Sequence, residues 1–207
     1  MHETVVRRLG TVHYESAWQA MREFTAARSA ETADELWLLE HPPVYTLGVA
    51  ARPEHLPRMD NGIPVVRSDR GGQITYHGPG QVVLYTLLDL ARRGLGVRSF
   101  VRLLECTVID FLGQHGIRGS GREDAPGVYV QAAKIAALGL RVRNGRCYHG
   151  LALNVAMDLT PFAVIDPCGY PQLAVTSLQT VGVEVSTDDA AEQLRQALEQ
   201  RLESVKR

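Results

Sequence analysis

Hydrophobic and polar positions recur at two different periods along this chain, and each change of period marks an element. From Tyr14 to Arg28, Ala17, Trp18, Met21, Phe24 and Thr25 return at three- and four-residue spacing, which predicts an amphipathic helix with that stripe against a core. Val5 to Val12 reads as a first strand, weakened by Arg7-Arg8. Glu35 to Glu40 is a short apolar run that predicts a buried strand. Pro42 and Pro43 stop it, because proline lacks the N–H that a ladder needs. Val44 to Gly48 is a second extended piece. Ala50 to Gly62 carries Pro53, Pro57 and an Asn-Gly turn and reads as a surface loop. Ile63 to Ser68 and the apolar run Val82 to Leu88 predict two more strands.

Ser99 is placed to cap a helix that runs to about Gln114, with Phe100, Val101, Leu104, Val108, Phe111 and Leu112 on its apolar face. Gly113 and Gly116 end it, and residues 118–126 read as a flexible connection. Val128 to Gln131 and Ile135 to Val142 predict strands. Asn144-Gly145 is a hairpin signal, so the chain should return through Cys147 to Met157. Pro161 to Val164 reads as a short helical turn. Ser186-Thr-Asp-Asp189 opens a last helix as a capping box, with Ala190, Leu194, Ala197, Leu198, Leu202 and Val205 along one side. Strands outnumber helices and several are joined by short turns. The prediction is an α+β fold, a single domain over 1–207, with a mixed or mostly antiparallel sheet and flanking helices on one side.

Composition narrows the function without choosing it. A chain of 207 residues, 45% hydrophobic and 22% charged, is long enough to bury a sizeable core. Its net charge of −1 and the lack of a basic stripe along one element argue against nucleic acid. Arginines do gather at Arg92, Arg93 and Arg98 and at Arg141, Arg143 and Arg146, as a solvated surface or as a docking patch for an acidic protein. No apolar run approaches the ~20 residues that span a bilayer, and the polar start has no signal-peptide pattern. Cys106, Cys147 and Cys168 are an odd number without metal-ligand spacing, so the expected setting is a reducing cytoplasm with free thiols.

The candidate chemistry gathers in three stretches. Arg70-Gly-Gly-Gln-Ile-Thr-Tyr-His-Gly-Pro-Gly-Gln81 is rich in glycine and leads into a buried strand, a pattern that lets backbone approach a ligand closely. It is neither a phosphate-binding loop nor a dinucleotide fingerprint. Cys168 sits in Pro167-Cys-Gly169, too turn-rich for a core element, whereas Cys106 lies among apolar helix residues as a structural cysteine does. Cys147, in the hairpin near His149, fits either role. Lys134 is flanked by Ala132, Ala133, Ile135 and Ala136, so it must snorkel or be functional, and the residues alone leave both open. Burial and a neighbouring thiolate act oppositely on an amine, so a cysteine and a lysine side by side exchange a proton at little cost. His77 and His149 each precede a glycine, which suggests tight backbone near a pocket. His2, His13, His55 and His115 look like surface positions, and no pair of histidines has metal-site spacing.

Four motifs agree in order and spacing with one family. The segment from Arg70 to Gln81, Lys134-Ile-Ala-Ala-Leu-Gly139, His149-Gly-Leu-Ala-Leu-Asn154 and Pro167-Cys-Gly169 resemble the lipoyl(octanoyl) transferases of lipoate biosynthesis, and His41 to Gly48 fits as well. The resemblance covers about Glu35 to Gln179. It departs at Tyr129, where the family often has tryptophan, a change expected to touch pocket lining rather than chemistry. The resemblance implies a fold similar to the catalytic domains of biotin and lipoate protein ligases. It implies an acyltransferase for the first step of protein lipoylation, without cofactor or metal. Octanoyl would move from acyl carrier protein to a lysine of a lipoyl domain, in 2-oxoacid dehydrogenase complexes or the glycine cleavage protein. Cys168 would carry the acyl thioester and Lys134 would be its partner. Arg70, Gly71, Gly72, Gln73, Ile74, Thr75, Tyr76 and His77 would line the substrate site with Ala137, Leu138 and Gly139 and with Gly150, Leu151 and Ala152. Neither a coiled-coil heptad nor an exposed apolar helix face is evident, so a monomer is expected. The alternatives are an ATP-dependent lipoate or biotin ligase, which would need an adenylate-binding loop, a cysteine thioesterase, and a non-catalytic binder of lipoyl domains.

Overall fold

Two apolar runs, each buried on both faces, decide the architecture. The computed structural model describes residues 4–166 and 173–205. Its first half contains β1 (Thr4–Thr11), α1 (Tyr14–Ala27), β2 (Asp34–Glu40), β3 (Val44–Leu47), β4 (Val65–Arg67), β5 (Ile74–His77) and β6 (Gln81–Leu87). There follow α2 (Val97–Gln114), β7 (Gly119–Gly121), β8 (Gly127–Val130), β9 (Ala133–Arg143), β10 (Arg146–Asn154) and α3 (Thr187–Ser204). Seven strands form one sheet in the order β1-β2-β6-β10-β9-β8-β7, and β4-β3-β5 form a second. In the large sheet β1 runs parallel to β2 and the other neighbours are antiparallel, so the sheet is mixed.

Successive side chains of a strand point to opposite faces. Leu36, Leu38, Val82 and Leu84 pack on one face against Phe100, Leu104 and Phe111 of α2 and Leu194 and Leu198 of α3. Their neighbours Trp37, Leu39, Val83 and Tyr85 pack on the other face against Ala17 and Met21 of α1. Helices therefore cover both faces, not one. Periodicity gives the width of a helix's apolar stripe, but not which face of the sheet receives it. Two further details differ from the sequence reading. α2 begins at Val97 after Gly96, which puts Ser99 in its first turn rather than at the cap. The connection 118–126 contains the edge strand β7, hidden because glycine is rare in strands. The hairpin and the last cap are as expected. Asn144 and Gly145 have φ of 51° and 75°, both positive as a tight hairpin turn demands, and Ser186 Oγ accepts the Asp189 N–H at 3.0 Å. No helix among the described residues is long and apolar enough to cross a membrane.

Three arginines that looked available for docking are used inside the fold. The Asp34 carboxylate, 2% exposed, accepts Arg28 at 2.5 Å, Arg92 at 2.7 Å and Arg93 at 2.6 Å, with the Asp89 N–H at 2.9 Å. Arg146 reaches Asp89 at 3.5 Å and the Arg28 carbonyl at 2.6 Å. Burial alone raises the Asp34 carboxyl, but the hydrogen bonds of Arg28 and Asp89 and the charge of Arg93 outweigh it and hold it below the usual range. Asp34 thus ties the end of α1, the start of β2 and the turn after β6. Asp34→Ala leaves the Arg28 guanidinium buried without its anion, and is expected to lower stability by about 3–5 kcal/mol in urea unfolding.

Candidate active site

A cavity with about 740 Å³ of empty space, counted to its open mouth, lies between the large sheet and the glycine-rich segment. Its floor is Val83 and Tyr85 of β6, Ala137, Leu138 and Gly139 of β9, and Gly150, Leu151, Ala152 and Asn154 of β10. Its roof is Arg70, Gly72, Gln73, Ile74, Thr75 and His77, with Tyr14, Phe162 and Val175 completing the wall. Two residues expected in the lining lie outside it. Gly71 rests on β9, its N–H donating to the Leu140 carbonyl at 2.9 Å, and Tyr76 packs with Tyr45 and Phe162.

The roof stays close to the sheet because glycine stands at each contact. A Cβ on Gly48 would lie 2.3 Å from the Gly72 carbonyl oxygen, and one on Gly139 would lie 3.0 Å from that of Gly71. The Gly48 N–H donates to Gln73 O at 2.8 Å and the Val49 N–H to Arg70 O at 2.9 Å, strapping the roof to the end of β3. Arg70 is the frame of the roof. Its guanidinium donates to Thr46 Oγ1 at 2.9 Å, to Thr46 O at 2.5 Å, and to Gly71 O and Gln73 O, each at 2.9 Å.

Lys134 lies in the cavity wall and is only 3% exposed. Its Nζ donates to Pro126 O at 3.2 Å and lies 5.2 Å from the centre of the Tyr129 ring. The side chain therefore runs forward along β9 toward Gly127, which pairs with Ala137. A Cβ on Gly127 would meet the Ala136 carbonyl oxygen at 2.8 Å, Lys134 Cε at 2.9 Å and Nζ at 3.1 Å, so glycine here leaves both the β9 backbone and the amine their places. The Gly127 N–H is held in turn by the buried Glu105 carboxylate at 3.1 Å. Tyr129, expected to line the pocket, instead backs Lys134, with its hydroxyl on Ala125 O at 2.8 Å. Downstream, the backbone of Lys134 pairs with Ala174 and Thr176 at 2.8 and 2.9 Å. Pro167, Cys168 and Gly169 lie outside the described residues.

Behind the cavity stands a cluster of rings, of which the sequence pointed to His77 and His149 by the glycine that follows each. Hydrogen bonding fixes how each imidazole is protonated. His41 Nδ1 donates to Val12 O at 2.6 Å, so its Nε2 accepts the Tyr85 hydroxyl at 2.7 Å. His77 Nδ1 donates to Gln81 Oε1 at 2.7 Å, and the Gln81 amide passes on to Asn154 Oδ1 at 2.9 Å. His149 Nε2 faces Asp69 Oδ1 at 3.0 Å, while its Nδ1 is buried without a hydrogen-bond partner among the described residues. His149 also has φ of 63°, unusual for a residue with a side chain. Asp69 further accepts Trp18 Nε1–H at 2.7 Å and the Tyr148 hydroxyl. Burial alone raises the Asp69 carboxyl, but these three donors outweigh it and hold it well below the usual range.

Tyr14, Val83, Tyr85, Gln81, Asn154, Phe162 and Val175 line the cavity without having been singled out as lining from sequence. Gln81 and Asn154 are the last residues of two motifs already noted, so carrying the lining on from His77 and Ala152 to the ends of those motifs would have included them. Tyr14 carries no local signal, since it opens a helix and only the fold brings it over β6.

Residues 13–199 match the family described as the lipoyl protein ligase A/B catalytic domain. The chain is 60% identical over 201 residues to an octanoyltransferase of Aromatoleum aromaticum, covering 97% of this chain and 87% of that one. It is 54% identical over 205 residues to an octanoyltransferase of Nitrosomonas europaea, covering 99% and 100%. Among solved structures it resembles the protein Ta0514 of T. acidophilum, titled a putative lipoate protein ligase, with a TM-score of 0.80 at 18% identity over 97% of this chain and 86% of that one. It resembles the biotin protein ligase of Aquifex aeolicus with a TM-score of 0.59 at 12% identity, over 100% and 72%. At such identities the structural likeness speaks to the fold alone.

The buried imidazoles set the acid limit of this site. Burial, the largest cause for each, holds His41 down to about 4 and lowers His77 and His149 below the ordinary value of 6.5. As pH falls below 6.5 the unfolded chain takes up these protons and the folded chain does not. The melting temperature is therefore expected to be level from about pH 8 to 6.5 and to fall between 6.5 and about 4. His41→Gln should take up to about 1.4 kcal/mol per pH unit out of that slope in denaturation measured across the range.

Proposed function

The chain belongs to the lipoyl protein ligase A/B catalytic domain family and is an enzyme of the octanoyltransferase type, and on that premise we propose that it moves octanoyl from acyl carrier protein to a lysine of a lipoyl domain through a thioester on Cys168. The observation that carries this reading is the Lys134 amine, buried in the wall of a largely apolar cavity of a chain more than half identical to octanoyltransferases. An amine in a surface ion pair would not be drawn into such a wall, and burying it needs compensation.

In the first half-reaction the Cys168 sulfur attacks the donor thioester carbon. The new C–S bond forms, the bond to the carrier's sulfur breaks, and the thiol proton passes through Lys134 to that leaving sulfur. In the second, the acceptor lysine nitrogen attacks the Cys168 thioester. The amide bond forms, the C–S bond breaks, and the amine proton returns through Lys134 to the cysteine. The second half is the more demanding. A lysine side chain with a pKa near 10.4 is neutral about once in 2,500 at pH 7, a deficit of about 4.6 kcal/mol, so the site must supply a proton acceptor. Lowering a thiol pKa by itself gains little, because nucleophilicity falls along with it. On this reading acyl carrier protein is the donor and a lipoyl domain the acceptor.

Incubation with octanoyl-acyl carrier protein, without ATP or acceptor, should add one octanoyl group to the intact mass, mapped to Cys168 and lost when a lipoyl domain is added. No adduct, with no transfer until ATP is supplied, would replace this reading with an ATP-dependent ligase. Lys134→Ala is expected to slow transfer from a preformed acyl-Cys168 by about 100-fold or more; a near wild-type single-turnover rate would remove Lys134 from the proton path.

A further inference from the structure

The floor of the cavity is not uniform across the sheet. Ala137 of β9, Ala152 of β10 and Val83 of β6 are direct cross-strand neighbours in register. So, one step along, are Gly139, Gly150 and Tyr85. Both rows run small, small, large. The sheet is therefore scooped out over β9 and β10 and rises abruptly at β6. The rise is backed rigidly: Val83 is 1% exposed and packs on α1, the Tyr85 hydroxyl is held by His41, and the Tyr14 hydroxyl donates to Ser68 Oγ at 2.7 Å.

At the other end of the rows, beyond β9, stands the Lys134 amine, beside Gly127 of β8. Adjacent strands are ~4.8 Å apart, so β9 to β6 is about 10 Å. Eight carbons joined by bonds of about 1.5 Å span about 9 Å in extended zigzag. We infer that the acyl chain lies across the strands over Ala137 and Ala152, with its methyl end against Val83 and the Tyr14 and Tyr85 rings, and that this step in the sheet measures chain length. The inference rests on the reading that the acyl carbonyl sits at the Lys134 end. Burial keeps His77 and His149 neutral near pH 7, and the Arg70 guanidinium beside them donates to oxygens of Thr46, Gly71 and Gln73.

The glycines of the second row are poor places to test it. A Cβ on Gly150 would lie 2.0 Å from the Leu84 carbonyl and one on Gly139 would push on the roof, so either change disturbs backbone. Ala152 and Val83 can be altered in opposite directions. Ala152→Val narrows the channel midway and Val83→Ala opens its end.

Binding of free fatty acids of four to twelve carbons, by calorimetric titration, and transfer of the same acyl groups from acyl carrier protein would be measured side by side. Wild type should favour eight carbons. Val83→Ala should raise the ten-to-eight-carbon ratio about tenfold, and Ala152→Val should lower the eight-to-six-carbon ratio by a similar factor, two methylenes being at stake in each. Opposite shifts from two core changes cannot both come from loss of fold. Unchanged profiles in both variants, or no chain-length preference in wild-type binding, would overturn the inference. Shifted binding profiles in a protein that transfers no acyl group would uphold the channel and refute the proposed transfer.

Discussion

A lysine amine in the wall of an apolar cavity must be held by the protein, because water cannot reach it to do so. Much of the local architecture answers that demand. Pro126 O and the face of Tyr129 receive the Lys134 amine, and Gly127 leaves room for it. Glu105, reaching out of α2, fixes the Gly127 backbone. The parallel pairing of Lys134 with Val175 then brings the C-terminal segment against the same strand. A single side chain is thereby positioned by β8, β9, α2 and the segment before α3.

The opposite end of the cavity is built by different means. Tyr14, His41, His77, Tyr85 and His149 pack ring on ring, with centroids 5.3 to 6.5 Å apart. Apart from His149 Nδ1, the polar atoms of these rings have hydrogen-bond partners, and Asp69 anchors His149 while tying Trp18 of α1 to β10 through Tyr148. Such a wall keeps its shape against an apolar chain, because moving one ring breaks the hydrogen bonds of its neighbours. Between the two ends, the rise from alanine and glycine to valine and tyrosine gives the space its length.

Roof and floor also depend on one another. Arg70 spends its guanidinium on four backbone and hydroxyl oxygens of the roof, which makes the glycine-rich segment a fixed cover. Gly48 and Gly139 permit the cover to touch β3 and β9 without a spacer. An arginine in such a motif invites assignment to a ligand carboxylate or phosphate. Here the bonds described are to the Thr46 hydroxyl and to carbonyls of the protein itself.

The sequence by itself determined most of the elements, though not the strands β5 and β7, together with their apolar faces and the stretches that carry chemistry. Those depend on periods of two and 3.6, on caps such as Ser186, on turns such as Asn144-Gly145, and on glycines where backbone must pass close. It also placed Lys134 beside small residues, without deciding between a snorkelling and a buried side chain. Only the tertiary structure put α1 on the face opposite α2 and α3, because an amphipathic stripe does not say which side of a sheet it will cover. Only the register of β6, β10 and β9 aligned Ala137 with Ala152 and Val83, residues far apart in the chain, since cross-strand neighbours are set by pairing and not by local pattern. The same is true of Tyr14 and Asp69, which have no local signature and meet His149 through the packing of a helix and a loop on one sheet.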